Sequence, residues 1–266
     1  IFEAVVGGMG LIGLIIEATL RLKKVPSVFV NCFTESVGSV KESFLMLDER
    51  AKCSDFTVMW ADAFSTGRNL GRGFIKTASW SNENTKPPSE QHMRSFKVPS
   101  YIFGVIPPKL FWYLGRPFFK PWLMRYANII INYSQKIVKE TNESTAKNYS
   151  FIDYNFLFGI KFPLIRQLFM PYGMLEFQPF IPRSAGVEAV EGLFKLFQRF
   201  HCEPLFCGLK VHRNDNYMIS FAGEGYSIGG AIQVRGRDLN QVNKFARAVC
   251  EYTAECGGKI LLSKDE

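Results

Sequence analysis

A chain of 266 residues that is 47% apolar and 15% aromatic can bury at least one sizeable core, with room for two compact lobes, which excludes a disordered polymer. Its formal net charge of +8 and pI near 9.2 favour anionic partners, whether a phosphate-bearing cofactor, an anionic substrate, a membrane surface or nucleic acid, without choosing among them. The six cysteines, Cys32, Cys53, Cys202, Cys207, Cys250 and Cys256, show no CxxC spacing, and with three histidines no zinc pattern can be assembled; free thiols in a reducing compartment are the expectation.

The opening stretch IFEAVVGGMGLIGLIIEATL is apolar, but it lacks a basic leading region and a small-residue cleavage site and carries Glu3 and Glu17, so it reads as neither a signal peptide nor a membrane span. Its first residues read as the middle of a strand, as though the chain were cut from a longer one. Gly8-Met9-Gly10-Leu11-Ile12-Gly13 is a literal GxGxxG after the strand-like FEAVV. A dinucleotide fold needs a helix straight after that loop so that its N-terminal amides meet the pyrophosphate. Instead Leu14, Ile16, Ala18, Leu20 and Leu22 alternate with Ile15, Glu17, Thr19, Arg21 and Lys23, the period of a half-buried strand, which argues against the dinucleotide fold. What remains is a backbone argument: Gly7, Gly8, Gly10 and Gly13 let the main chain bend sharply and bring its amides close to a ligand, with a plain turn between buried strands as an equal alternative.

Residues 27–34 read as a strand, 36–51 as a helix with Val40, Phe44 and Leu47 along one stripe, and 55–63 and 73–80 as strands. Over residues 81–150, Pro87-Pro88, Pro107-Pro108, Pro117 and Pro121 are expected to break regular elements. There Phe103, Phe111, Trp112, Tyr113, Phe118, Phe119 and Trp122 crowd together, so the stretch reads as an irregular aromatic and basic excursion from the sheet. The second half repeats the earlier order: strand 173–181, a helix from Ser184 to about His201, and strands 205–211, 216–222 and 226–234. A helix capped by Asp238 and closed by Gly257-Gly258 then precedes a strand at 259–263. The fold class is α+β, an antiparallel sheet with split βαβ units and helices on one face.

Strand alternation also sorts the polar residues. Met174, Glu176 and Gln178 share one face of their strand, for which a solvated surface is the usual explanation. Lys210 shares a face with Phe206, Gly208 and His212, and a lone strand lysine is more often an edge or surface charge than a catalytic group. Trp60 suits either an apolar ligand wall or a core position.

The run VVGGMGLIGLIIEATLRLKKV resembles the end of the FAD-binding domain (PCMH type) of flavoenzymes of the vanillyl-alcohol-oxidase superfamily. VMWADAF at 58–64, GRNLGRG at 67–73, GMLEFQPFIP at 173–182, the strand bearing Lys210 and GGKILLSKD at 257–265 are similar, in that order, to the decaprenylphosphoryl-β-D-ribose oxidase group within it. The likeness covers nearly the whole chain and is weakest over 81–150. It implies that residues 1–25 end an FAD-binding domain and that 26–266 form a substrate-binding cap domain over the isoalloxazine. It further implies FAD as cofactor, approached through the backbone by Gly8, Gly10, Leu11, Gly13 and Leu14, with Thr57 and Val58 near the flavin. Lys210 stands where relatives carry a lysine beside the flavin, able to bind the substrate hydroxyl and favour negative charge on its oxygen. Glu176 and Gln178 stand where they carry two pocket glutamines. Ser227 and Gly229 replace an Asn and a Cys, Phe156 stands at a tyrosine position, and Trp60 offers a wall.

The implied reaction is oxidation of a secondary alcohol on a sugar, polyol or lipid-linked sugar, a base taking the hydroxyl proton while hydride passes to flavin N5. The family's pyrophosphate-binding lobe would precede residue 1 and a further lysine would follow residue 266, so this stretch alone is not expected to turn over. The alternative is a lipid- or membrane-surface-binding module without catalysis, motivated by Lys109, Arg116, Lys120 and Arg125 among the aromatics of 101–126, in a cytoplasmic protein peripheral to a membrane. Nucleic-acid binding is disfavoured because no RNP-like aromatic motif accompanies the basic charge.

Overall fold

The computed structural model describes residues 1–81, 100–102, 104–141, 147–152, 154–155, 164–221, 223–234 and 239–261. A short helix α1 (Phe2–Val5) leads into an extended, exposed segment that reaches the sheet at β1 (Phe29–Val37). There follow α2 (Val40–Cys53), β2 (Phe56–Ala61), β3 (Gly73–Trp80), α3 (Pro108–Gly115), α4 (Pro121–Thr141) and β4 (Lys147–Ser150). Then come β5 (Met174–Phe177), β6 (Pro179–Pro182), α5 (Gly186–Arg199), β7 (Phe206–His212), β8 (Gly225–Gln233), α6 (Leu239–Glu255) and β9 (Lys259–Ile260). The architecture is mixed α/β around a nine-stranded antiparallel sheet, ordered β4-β1-β3-β2-β7-β8-β6-β9, with β5 also on β8.

Two βαββ units build this order. In the first, β3 lies between β1 and β2; in the second, β8 lies between β6 and β7; and β2 joins β7. β5 and β6 keep one register along β8, Phe177 opposite Gly230 and Phe180 opposite Ser227, so 174–182 acts as a single strand interrupted at Gln178.

Local chemistry sets the helix ends. The Ser39 hydroxyl accepts the Glu42 N–H at 3.2 Å and the Glu42 carboxylate accepts the Gly38 N–H at 2.7 Å, a reciprocal cap that starts α2 at Val40 instead of residue 36. At the end of α6 the chain turns through Gly257 at φ +69°, where the Gly257 and Gly258 N–H groups return to the Ala254 and Thr253 carbonyls. Asp238, expected to cap α6, lies outside the described residues, as do positions 262–263 of the last predicted strand. Beneath the sheet, Val37, Leu47, Met59, Ile75, Leu193, Phe194, Phe197, Leu209, Ile228 and Phe245 form one core between the strands and helices α2, α5 and α6. Each such side chain contributes about 1.5–3 kcal/mol on burial.

Four expectations are corrected. The strand predicted over 14–23 does not form, and FEAV of the strand-like FEAVV is α1: alternation states a preference, but a strand needs a neighbour to take its N–H and C=O groups, and no pairing of 14–23 occurs among the described residues. The strand predicted over 216–222 does not form over 216–221, the part among the described residues. Asp215 accepts the Tyr217 N–H at 3.0 Å and the Ser220 hydroxyl at 2.6 Å, and Asn214 accepts the Glu224 N–H at 2.9 Å, so side chains take what a ladder would use. The 81–150 excursion is not irregular throughout: Pro108 and Pro121 open α3 and α4, proline being preorganised for a first helical turn, and β4 pairs with β1. Nor are helices confined to one face, because α4 packs across β1 and β3 on the other. On that face Trp112, Phe111 and Phe119 join Phe64, Leu168, Phe169 and Leu205 in a second cluster, whereas Tyr113, Phe118 and Trp122 point outward; Phe103 is outside the described residues.

Candidate functional site

The sheet face opposite the main core carries the predicted site residues in two neighbouring rows, because strand alternation and antiparallel register together fix who stands beside whom. One row runs Phe74, Trp60, Gly208, Gly229 across β3, β2, β7 and β8, and ends at Gln178 between β5 and β6. The next runs Lys76, Val58, Lys210, Ser227, Phe180. Trp60 and Phe74 stack with ring centroids 5.1 Å apart and planes inclined by 18°.

Between this aromatic platform and Gln178 the floor is bare backbone. A Cβ at Gly208 would meet nothing nearer than the Met59 carbonyl oxygen at 3.9 Å, and one at Gly229 would lie 3.6 Å from Gln178 Oε1. At roughly 4.8 Å per strand, Trp60 and Gln178 stand about 14 Å apart across a flat trough wide enough for a planar ring system. Lys210 rises exposed from the adjacent row, and Glu176 lies beyond Gln178 opposite Ala231.

A hydrogen-bonded chain lines the polar side. Gln178 Nε2 donates to Ser227 Oγ at 3.1 Å, and Ser227 Oγ lies 2.6 Å from His212 Nε2. Burial, and secondarily the Lys210 ammonium, hold the His212 imidazole below its ordinary pKa and so neutral near pH 7. Ser227 Oγ accepts from Gln178, and it donates to His212 Nε2 when the imidazole carries its proton on Nδ1 and accepts from it in the other tautomer. Phe180 and Phe221 approach the imidazole edge-on, at 6.0 and 5.6 Å, and fix its plane.

Trp60, Gln178, Lys210, Ser227 and Glu176 thus share one face. Val58 joins them on the trough side, whereas Thr57 does not, its hydroxyl bonding Ser54 Oγ at 2.7 Å on the helix side. Phe156 lies outside the described residues. The glycine segment attaches at the His212 end of β7: the Met218 N–H donates to the Glu3 carbonyl at 3.2 Å, and a Cβ on Gly7 would come within 2.4 Å of the Ile219 carbonyl oxygen. Gly8 is buried in this turn, whereas a Cβ at Gly10 or Gly13 would meet nothing within 4 Å, and Leu11 and Leu14 are exposed. Backbone approach to a flat ligand is therefore unobstructed at both glycines.

Two residues escaped the sequence reading of the site. His212 was placed on the Lys210 face without a role, and its bond to Ser227 depends on the β7–β8 register, a nonlocal quantity. Asp62 is fully buried at the end of β2, accepting from Asn128 Nδ2 at 2.7 Å, the Phe64 N–H at 3.0 Å and Arg72 Nε at 3.2 Å. Desolvation raises its carboxyl pKa, against the opposing pull of these donors. It anchors α4 over the sheet, and a lone Asp in VMWADAF gave no sign of that. Burial first, then Asp62, pushes the Cys207 thiol up to about 12, which leaves it inert.

No protein-family model and no curated protein sequence matches the chain. Among the described residues no helix is long and apolar enough to cross a membrane.

Proposed function

We propose that this chain is the substrate-binding part, with the end of the cofactor domain, of an FAD-dependent oxidoreductase acting on a secondary alcohol of a sugar, polyol or lipid-linked sugar. The observation that carries the reading is the glycine-floored trough between the Trp60–Phe74 platform and the Gln178–Ser227–His212 chain, with Lys210 beside it. Its flat floor suits a planar ring and its polar side suits hydroxyl groups. The unobstructed backbone at Gly10 and Gly13 suits close approach by a cofactor, and the net positive charge suits a diphosphate.

The flavin, when bound, supplies the hydride acceptor at N5. The chain's own groups do the rest. The Lys210 ammonium binds the alcohol oxygen and stabilises the negative charge that grows there as its proton leaves. Gln178 orients a substrate hydroxyl with its carbonyl end while its amide holds Ser227. Ser227 and His212, 2.6 Å apart, form a relay for the alcohol proton when the imidazole carries its own proton on Nδ1, its lowered pKa keeping the ring neutral. Trp60 gives the apolar face of a sugar something to rest on.

The purified full chain with its flanking sequence should take up FAD, show flavin visible absorbance, and bleach when mixed anaerobically with a polyol or sugar substrate. Lys210→Ala should keep the colour and lose about 100-fold or more in the bleaching rate. A protein that stays colourless after reconstitution with FAD ends the proposal.

A further inference from the structure

Helix α4 is built the opposite way round from a surface helix of a water-soluble protein. Its sheet-facing stripe holds Asn128 and Asn132, 1% and 7% exposed, after Met124 at 6%, and Asn128 is spent on the buried Asp62 carboxylate. Its outward stripe is Trp122, Tyr126, Ile129, Ile130 and Tyr133, each between 42% and 68% exposed, at the i, i+4, i+7, i+8 and i+11 spacing of one helical face. Preceding it, Leu110, Tyr113 and Leu114 of α3, with Phe118, continue the same apolar exposure. So much contiguous aromatic and aliphatic surface marks a contact face.

Charge identifies the partner. From Ser100 to Lys139 the chain has six cations, Lys109, Arg116, Lys120, Arg125, Lys136 and Lys139, and no aspartate or glutamate. Lys109, Lys120 and Arg125 are exposed around the apolar stripe. The Arg116 guanidinium lies 5.2 Å over the Tyr113 ring and donates to the Gln167 carbonyl, keeping that tyrosine at the rim. A second copy of the chain is a poor occupant, since it would set cations against cations. Tryptophan and tyrosine with a ring of lysine and arginine, on a helix too polar to span a bilayer, is the composition of an interfacial helix.

We propose that the outward face of α3 and α4 docks on an anionic lipid bilayer, Trp122, Tyr126 and Ile130 entering the headgroup region while Lys109, Lys120 and Arg125 meet lipid phosphates. This is independent of the redox chemistry proposed above, and its failure would leave that chemistry untouched.

The test is co-sedimentation of the purified full chain with vesicles of phosphatidylcholine alone or mixed with phosphatidylglycerol, at low and high salt. Retention should require the anionic lipid and fall with salt. The combined variant Lys109→Gln, Lys120→Gln, Arg125→Gln, which alters only exposed side chains, should lose about 100-fold in vesicle affinity while its thermal unfolding midpoint stays unchanged. Brominated lipid should quench tryptophan fluorescence in the parent and not in Trp122→Phe, since Trp112 is buried and Trp60 and Trp80 are half-buried. Absence of retention on anionic vesicles at low salt, undiminished retention of the neutralised variant, or undiminished quenching in Trp122→Phe would each overturn the proposal. So would self-association abolished by Trp122→Ser in a protein that ignores vesicles, which would assign the face to a second copy.

Discussion

The two βαββ units follow one backbone plan and present opposite chemistry on the face they leave open. Their helices α2 and α5 are both 14 residues long, and their strands turn Val37, Met59 and Ile75 in one unit, and Ile181, Leu209 and Ile228 in the other, into a shared core. On the open side the first unit is aromatic, with Phe56, Trp60, Phe74 and Trp80. The second is polar, with Glu176, Gln178, Lys210, His212 and Ser227. Gly208 and Gly229 lie next to the seam, where a side chain would fill the space between the two. Inward residues are bound into one core and resemble one another; the other face is covered only in part, by α4 and by the Phe151 and Tyr154 rings, and there the units have diverged into a wall and a set of hydrogen-bonding groups.

The sharpest way to break this comparison is in the core, where the second unit carries more weight. Phe197 touches Phe177, Phe194 and Phe245, so Phe197→Ala should cost about 3–5 kcal/mol, and Leu47→Ala in α2 about 2–3 kcal/mol, by urea unfolding. Equal costs would mean that the units share the load. Next comes the first unit's buried charge. Asp62→Ala should cost about 2 kcal/mol by orphaning Asn128 and the Phe64 N–H. Because the folded carboxyl pKa is raised, Asp62 favours the folded state most when protonated, below about 3.9, and this contribution is lost as pH rises through the folded value. The stability of the parent minus that of Asp62→Asn should fall across that window and be flat above it; a rise would mean that the donors outweigh desolvation.

A smaller effect on stability separates fold from site. Gly208→Val puts a strand-favouring side chain into open space, so stability should change by less than about 1 kcal/mol. The same valine stands in the trough between Trp60 and Gln178, and uptake of FAD or substrate-driven bleaching should be lost. Full activity in a folded Gly208→Val protein would move the site elsewhere.

Much of this was legible before the structure. Alternation gave the faces of 173–181 and 205–211 correctly, because a period of two depends only on the local chain, whereas the helix placed over 36–51 begins only at Val40, after the Ser39 cap. The run 14–23 misled because alternation is necessary for a strand but not sufficient, and 216–222 because Asn214 and Asp215 divert the backbone that a hydrophobicity count would pair. The inverted polarity of α4 was unreadable without Asp62, whose burial explains why asparagines face inward. Within the site, Lys210 and Gln178 could be assigned faces and Trp60 could not, and the facing of Gly208 with Gly229 and of Lys210 with Ser227 is a property of register between distant strands.

The finest probe of the polar half is the pH response of His212. Its imidazole is packed against Phe180 and Phe221, bonded to Ser227 and close to Lys210, and both burial and that ammonium oppose its protonation. Below the ordinary histidine pKa of about 6.5 the unfolded chain takes up a proton that the folded protein resists, so stability is lost as pH falls through that value toward the lower folded one. His212→Gln removes this loss and can still bond Ser227, so the difference between parent and variant, read from urea midpoints, should be constant above pH 7 and shift against the parent below it. Lys210→Met removes the lesser cause and should shrink the shift without abolishing it, since desolvation remains. A flat difference in the first comparison would mean that the imidazole charges freely in the folded state, and it could not then serve as the vacant proton acceptor for Ser227.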